Sequence, residues 1–370
     1  MNQAVGNGFG IVGAGYYLPE AVRTNDWWPR DWIDEHLREM GADVVGALNQ
    51  AVADTPSDVD PEIVEYVQRY ASDPFRGAVE RHVIDDGETS SDLEVRAARA
   101  ALRDAGMSAA DIDLLITFSQ VPDFPCPGNH ALVAHKLGMR TDATSMTIGT
   151  DCASFIAHLS VASQLLAVGG YRAALIVQSN ASTRLMNWRR PASITVGDGA
   201  TAFVLAPVMS GLGFVASNSM TLGQYHKTVR VAPLETPHTP WYAGEVHKSR
   251  LVFQSMDPAS TRESTISIVD ACRAVCTPLL EQARCLPTDV SLFVASQPSA
   301  WFPFACAMGL GIPPTSTLCT YPKYGHLMPA SSAINLISAK EQGRLSRGDV
   351  VLIYSPGAGL IQSAALLRWV

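Results

Sequence analysis

The stretch Gly149-Thr150-Asp151-Cys152-Ala153-Ser154-Phe155 decides how the rest of the chain is read. Residues at about 143–149 have the pattern of a strand. From Ala153 to about Gly169 the pattern is that of a long helix rich in small residues: Ala153, Ala157, Ser160, Ala162 and Ser163. Cys152 falls at the junction. A thiol at a helix N-terminus meets the positive end of the helix dipole, which favours thiolate. A sharp turn there also presents the sulfur to a substrate. The bland alternative is an inert buried cysteine. Small residues let a helix pack closely on both sides, so this one is expected between layers.

Working outward, the same plan occurs twice. In the first half, Ser90-Ser91-Asp92 caps a helix that carries Leu93, Ala97, Ala101 and Ala105 and stops at Gly106. Ile112–Ser119 follows as a strand buried on both faces. A helix at about 128–138, a strand at 143–149, the helix after Cys152 and the strands 173–179 and 200–205 complete it. In the second half, a helix at about 261–284 precedes a strand at 290–296. Helices at about 299–309 and 329–343 and strands at 349–354 and 360–368 complete the chain. The fold expected is α/β: a duplicated core in which sheets sandwich buried helices. The halves are 1–207, with a helical insertion at about 27–75, and 208–370. Trp27, Trp28 and Trp32 open that insertion as a lid or pocket wall, or as helices packed on a core.

Composition narrows the function. The chain has 370 residues, 47% of them hydrophobic and 17% charged, enough apolar material for a large core and too little charge for disorder. The formal net charge is −8 and no Lys/Arg run forms a basic face, which argues against nucleic-acid binding. No stretch of about 18 apolar residues suits a membrane span. Residues 1–6 lack the basic and apolar regions of a signal peptide. Seven cysteines with no CxxC pair and no zinc-type spacing fit a reduced, cytoplasmic protein. Gly13-Ala14-Gly15 invites a dinucleotide reading, but no third glycine opens a helix, so a nicotinamide dehydrogenase is set aside.

Asp151-Cys152-Ala153-Ser154-Phe155 resembles the nucleophile elbow of the thiolase superfamily, specifically of ketoacyl-ACP synthase III-like enzymes. Other segments resemble the family in order: Gly15-Tyr16-Tyr17-Leu18-Pro19 with Val22-Arg23-Thr24-Asn25, then Glu80-Arg81-His82-Val83, then Gly197-Asp198-Gly199-Ala200-Thr201-Ala202. Tyr324-Gly325-His326 with Ala330-Ser331, and Gly357-Ala358-Gly359-Leu360, resemble its last two landmarks. The resemblance implies a five-layered αβαβα thiolase-like fold, usually a homodimer. It also implies an oxyanion site made by the Cys152 N–H and an N–H of the Gly357-Ala358-Gly359 turn.

The chain departs from the family at two positions. Where the resemblance leads one to expect a strand-end histidine, this sequence has Ser296; where it leads one to expect asparagine, it has His326. In the family those two groups jointly hold a malonyl thioester oxygen as carbon dioxide leaves. Losing one donor of that kind typically costs about 10²–10³ in rate. Acylation of Cys152 is less exposed to the change. The expectation is therefore an acyltransferase of specialised metabolism, with Cys152, His326 and Ser296 at its centre. An acyl-CoA or acyl carrier protein donates, His326 deprotonates the acceptor, and a small hydroxyl or amine receives. A decarboxylative ketoacyl synthase and a catalytically silent synthase partner are the alternatives. His130 and His158 are expected to be structural, Asp151 a cap or acceptor, and Cys126 incidental. Trp301 and Phe302 stand where relatives often carry a basic residue near the carrier-docking surface.

Overall fold

The structure is a computed structural model describing residues 8–40, 73–188, 191–236, 238, 242, 250–254 and 257–370. Most of the expected 27–75 insertion lies outside the described residues.

The strands are β1 Gly8–Tyr17, β2 Val22–Thr24, β3 Glu80–His82, β4 Leu114–Ser119, β5 Thr144–Thr147, β6 Ala174–Asn180 and β7 Gly199–Val208, then β8 Gly213–Thr221, β9 Arg230–Pro233, β10 Leu251–Gln254, β11 Val290–Ala295, β12 Val350–Gly357 and β13 Ile361–Arg368. One mixed sheet has the order β1-β7-β6-β4-β5 and a second the order β11-β12-β13-β8. The chain leaves the first sheet at Val208 and enters the second at Gly213. β4 runs parallel to β6 and β11 parallel to β12, and these four strands are largely buried and mostly apolar, whereas β5, parallel to β4 at the sheet edge, is only partly buried. Buried apolar strands are what sheets covered on both faces require.

The helices Ser154–Ala167 and Ser331–Glu341 lie between the sheets. Phe155, Leu159 and Ala162 of the first and Ala333 and Leu336 of the second join Ile116 of one sheet and Val294 and Val351 of the other in one core. The helix Ser90–Asp104 covers the outer face of the first sheet. Ile268–Ala283 and Phe302–Gly309 cover that of the second. The result is a five-layered α/β molecule.

Details differ from the expectation at element ends. The cap of Ser90–Asp104 is Thr89, which forms a capping box with Asp92. The helix expected at 261–284 is two helices, Pro258–Ile266 and Ile268–Ala283. Gly13 and Gly15 serve packing: a Cβ on Gly15 would lie 2.3 Å from Ala101 N and one on Gly13 2.5 Å from Ala101 O. Their absent side chains let the capping helix lie directly on β1.

Trp28 is buried with Phe75 and Ile194, with Trp32 and Trp188 packed against them. Trp27 is half-exposed, and the Arg23 guanidinium lies 4.3 Å from its ring and 4.0 Å from that of Trp188. Of the two readings of these tryptophans, Trp28 takes the core one. No helix among the described residues is long and apolar enough to cross a membrane.

Candidate active site

Cys152 sits in a 3-10 turn, Asp151–Ala153, that feeds the helix Ser154–Ala167. Asp151 takes a left-handed φ of +50°. Asn and Asp tolerate that region better than other side chains, so the turn can be sharp without a glycine. Ser154 braces it: its Oγ accepts from Thr150 N–H at 3.0 Å and donates to Asp151 O at 2.7 Å. From the second half, Ser355 Oγ donates to Cys152 O at 2.7 Å. Gly357 comes closer still. A Cβ there would lie 2.2 Å from Thr150 O, so the end of β12 lies directly on the nucleophile turn. Ala358 and Gly359 continue that turn, with φ +105° at Gly359.

His326 reaches the sulfur from the second half but is held by the first. Its N–H donates to Thr195 O at 2.6 Å, and its carbonyl accepts from Gly197 N–H at 3.2 Å. The glycine turn at 197–199 is itself fixed by the buried Asp198 carboxylate, which accepts from the Ile84 and Thr183 backbone N–H groups. The His326 side chain is buried, with Nε2 3.7 Å from Cys152 Sγ and Nδ1 3.3 Å from Ser331 Oγ. Ser331 Oγ also accepts from Gln297 N–H at 3.0 Å.

Ser296 follows β11 and is almost wholly buried, and its Oγ has no hydrogen-bond partner among the described residues. Its neighbour carries the network instead. Gln297 donates to Thr320 Oγ1 and Asn335 Oδ1 and accepts from the Thr320 and Tyr321 backbone, tying the strand end to the His326 segment.

The electrostatics correct one expectation. Burial, with the Asp151 carboxylate second, pushes the Cys152 thiol well above its usual range. Burial also lowers His326 to about 4, against a weaker opposing hydrogen bond to the Gln297 backbone. At neutral pH the pair is a thiol beside a neutral imidazole, not a thiolate beside an imidazolium. With the ring proton on Nδ1, the Nε2 lone pair is free to take the thiol proton.

The remaining candidates fall outside this centre. His158 is fully buried, with Nε2 2.7 Å from Ile148 O and Nδ1 2.7 Å from Gln178 Nε2. His130 Nδ1 is 3.0 Å from Thr147 Oγ1. Cys126 is exposed. Trp301 and Phe302 pack on one another, Phe302 buried. Met328, whose Sδ lies 3.9 Å from Cys152 Sγ, was not legible in the sequence. It belongs to no periodic pattern, and only its place two residues after His326 hints at it.

The chain matches known proteins along its length. Residues 146–223 match the family model described as 3-oxoacyl-[acyl-carrier-protein (ACP)] synthase III, and residues 280–369 match its C-terminal model. A β-ketoacyl-[acyl-carrier-protein] synthase III of Symbiobacterium thermophilum is 30% identical over 296 residues, 79% of this chain and 87% of the relative. One from Roseiflexus sp. is 31% identical over 301 residues, 79% and 88%. A solved β-ketoacyl-[acyl carrier protein] synthase III from Thermus thermophilus superposes with a TM-score of 0.76 at 28% identity, covering 98% of this chain and 99% of that one. The fold, a cysteine at its strand-to-helix turn and these matches agree: the chain is an acyl-transferring enzyme and belongs to the 3-oxoacyl-[acyl-carrier-protein] synthase III family.

Proposed function

We propose that the protein is an acyltransferase that carries its acyl group on Cys152 and passes it to a hydroxyl or amine. The carrying observation is the Cys152–His326 contact at 3.7 Å. In the first step His326 Nε2 takes the Cys152 proton, Sγ bonds to the acyl carbon, and the donor's C–S bond breaks. The departing thiolate takes the proton back from His326. In the second step His326 takes the acceptor proton, the acceptor O or N bonds to the acyl carbon, and the C–Sγ bond breaks. The thiol is restored with that proton. Cys152 N–H and an N–H of the Gly357–Gly359 turn are the proposed donors to the acyl oxygen.

The surroundings of the sulfur favour an uncharged second substrate. Asp151 is the charged neighbour that raises the Cys152 thiol, and His326 is neutral. A malonyl carboxylate brought here would meet no imidazolium. The second reading, decarboxylative carbon–carbon bond formation, draws on the names of the relatives. Acyl-CoA and acyl carrier protein are the proposed donors. The protein is proposed to act in specialised metabolism, in the cytoplasm and as a homodimer, each chain being divided into halves 1–207 and 208–370.

Intact-mass spectrometry after acyl thioester exposure is expected to show a Cys152 adduct that candidate amines or alcohols discharge as amide or ester. Carbon dioxide and a β-keto product from a malonyl thioester would favour the second reading instead. Sizing by light scattering tests the dimer.

A further inference from the structure

Met328 lies against the nucleophile, its Sδ 3.9 Å from Cys152 Sγ. Both residues are half-buried, whereas His326 is buried. Met328 thus keeps, like the sulfur, some exposure that the imidazole lacks. The backbone holds the residue beside the sulfur. Met328 has φ +50°, a region long L-side chains seldom occupy. Conformations of that kind persist where the surroundings over-determine them, and they cluster at ligand clamps and active sites. Here both neighbours are anchored. Leu327 is buried with Tyr324, Ala330 and Ile334, and Pro329 is buried on the other side. Ala330 N–H closes the turn onto Leu327 O at 3.1 Å. Between two fixed residues, the Met328 backbone is held close to the sulfur.

We propose that Met328 is a specificity-determining residue for the acyl group, admitting thioesters unbranched at the α-carbon and turning away those with bulk there. In an acyl-Cys152 the α-carbon is two bonds from Sγ, so a branch on it is three bonds away. That is the shell of space the Met328 thioether occupies. A methionine can move aside for a slim chain. Its backbone cannot follow to clear room for a branch beside the sulfur. The proposal rests on the acyl-Cys152 reading, so its test has one arm that does not.

In that arm, native protein and the Met328→Ala and Met328→Gly variants are treated with methyl or tert-butyl methanethiosulfonate. Each reagent transfers its alkylthio group to Sγ and releases methanesulfinate, and the Cys152 peptide is quantified by mass. Glycine suits the positive φ, so Met328→Gly is expected to fold. The ratio of tert-butyl to methyl rates at Cys152 is expected to rise about tenfold in both variants, the usual scale for opening a pocket by a few carbons. The ratio at exposed Cys126 is the internal reference and is expected to stay constant. A rise of less than about threefold at Cys152 overturns the proposal. In the second arm, isobutyryl and butyryl thioesters replace the thiosulfonates, and the branched-to-straight ratio is expected to shift the same way. If no thioester acylates native Cys152 while the thiosulfonate ratio responds, the acyl-enzyme reading fails and the control of access by Met328 stands. If acyl adducts form and neither ratio moves, the proposal alone is overturned.

Discussion

Cys152 Sγ and His326 Nε2 sit 3.7 Å apart, and burial keeps both uncharged at neutral pH. The sulfur therefore depends on the imidazole as a base at the moment of attack, because no standing thiolate is present. Replacing His326 by Ala is expected to slow Cys152 acylation by about 10²–10⁴, the usual worth of a positioned acid–base group. With His326 protonating at about 4, the native rate should fall on the acid side only as pH approaches that value. Timed intact-mass measurements from pH 4 to 8 give both results, and a His326→Ala protein that acylates at the native pace would remove the histidine from the mechanism.

Asp151 raises the neighbouring thiol and holds a left-handed backbone while its Oδ1 accepts from Gln120 Nε2 at 3.3 Å. Asparagine keeps the shape, tolerates the same φ and accepts from the same amide. It removes the charge that opposes thiolate. Asp151→Asn is expected to lower the Cys152 pKa and increase its alkylation by iodoacetamide several-fold at pH 8. The pH dependence of that rate reads the pKa directly, and an unchanged titration would show that burial alone holds the thiol up.

These two residues also show how far the sequence reaches. The layers were legible because both sheets carry parallel, doubly buried strands, and those appear as unbroken apolar runs such as Leu114–Ile116 and Leu292–Ala295. The Cys152 turn was legible because a strand pattern changes to a helical one across a few residues. Its protonation state was not. The dipole argument needs only position in the chain, whereas burial and the aim of the Asp151 carboxylate depend on the folded surroundings. Met328 was hidden for a related reason, since a positive φ on a non-glycine residue leaves no trace in hydrophobic periodicity. Gly13-Ala14-Gly15 invited a dinucleotide reading that the missing third glycine set aside, and the structure uses both glycines for packing. A ligand-binding turn and a close helix–strand contact ask for the same residue.

The buried histidines should make stability depend on pH. His158 is lowered by burial to about 4, from an ordinary value of 6.5. As pH falls below 6.5 the unfolded chain takes up a proton that the native site refuses. Stability is then lost through the window from 6.5 down to about 4, at up to about 1.4 kcal/mol per pH unit for each such group. His326 adds a second proton to the same window. His158→Gln can still donate to Ile148 O and accept from Gln178, so it removes the titration while keeping both bonds. Urea unfolding at pH 4.5, 5.5 and 6.5 should give a shallower slope for His158→Gln by about one proton. Parallel curves would mean that His158 titrates alike in both states.

Gly357 tests how closely the second half must approach the nucleophile. A Cβ there would fall 2.2 Å from Thr150 O and 2.7 Å from Ile361 Cγ2. The nearer neighbour is backbone, so it cannot yield without moving the nucleophile turn or the end of β12. Overpacking of this kind costs about 1–3 kcal/mol. Part of it should appear as a shift of the Asp151–Ala153 turn. Gly357→Ala is therefore expected to lower stability by that amount and to slow Cys152 acylation more than it slows alkylation by iodoacetamide. The reason is that only acylation needs the turn's N–H groups aimed at an acyl oxygen. Equal slowing of both reactions would assign Gly357 to access at the sulfur and not to the oxyanion site.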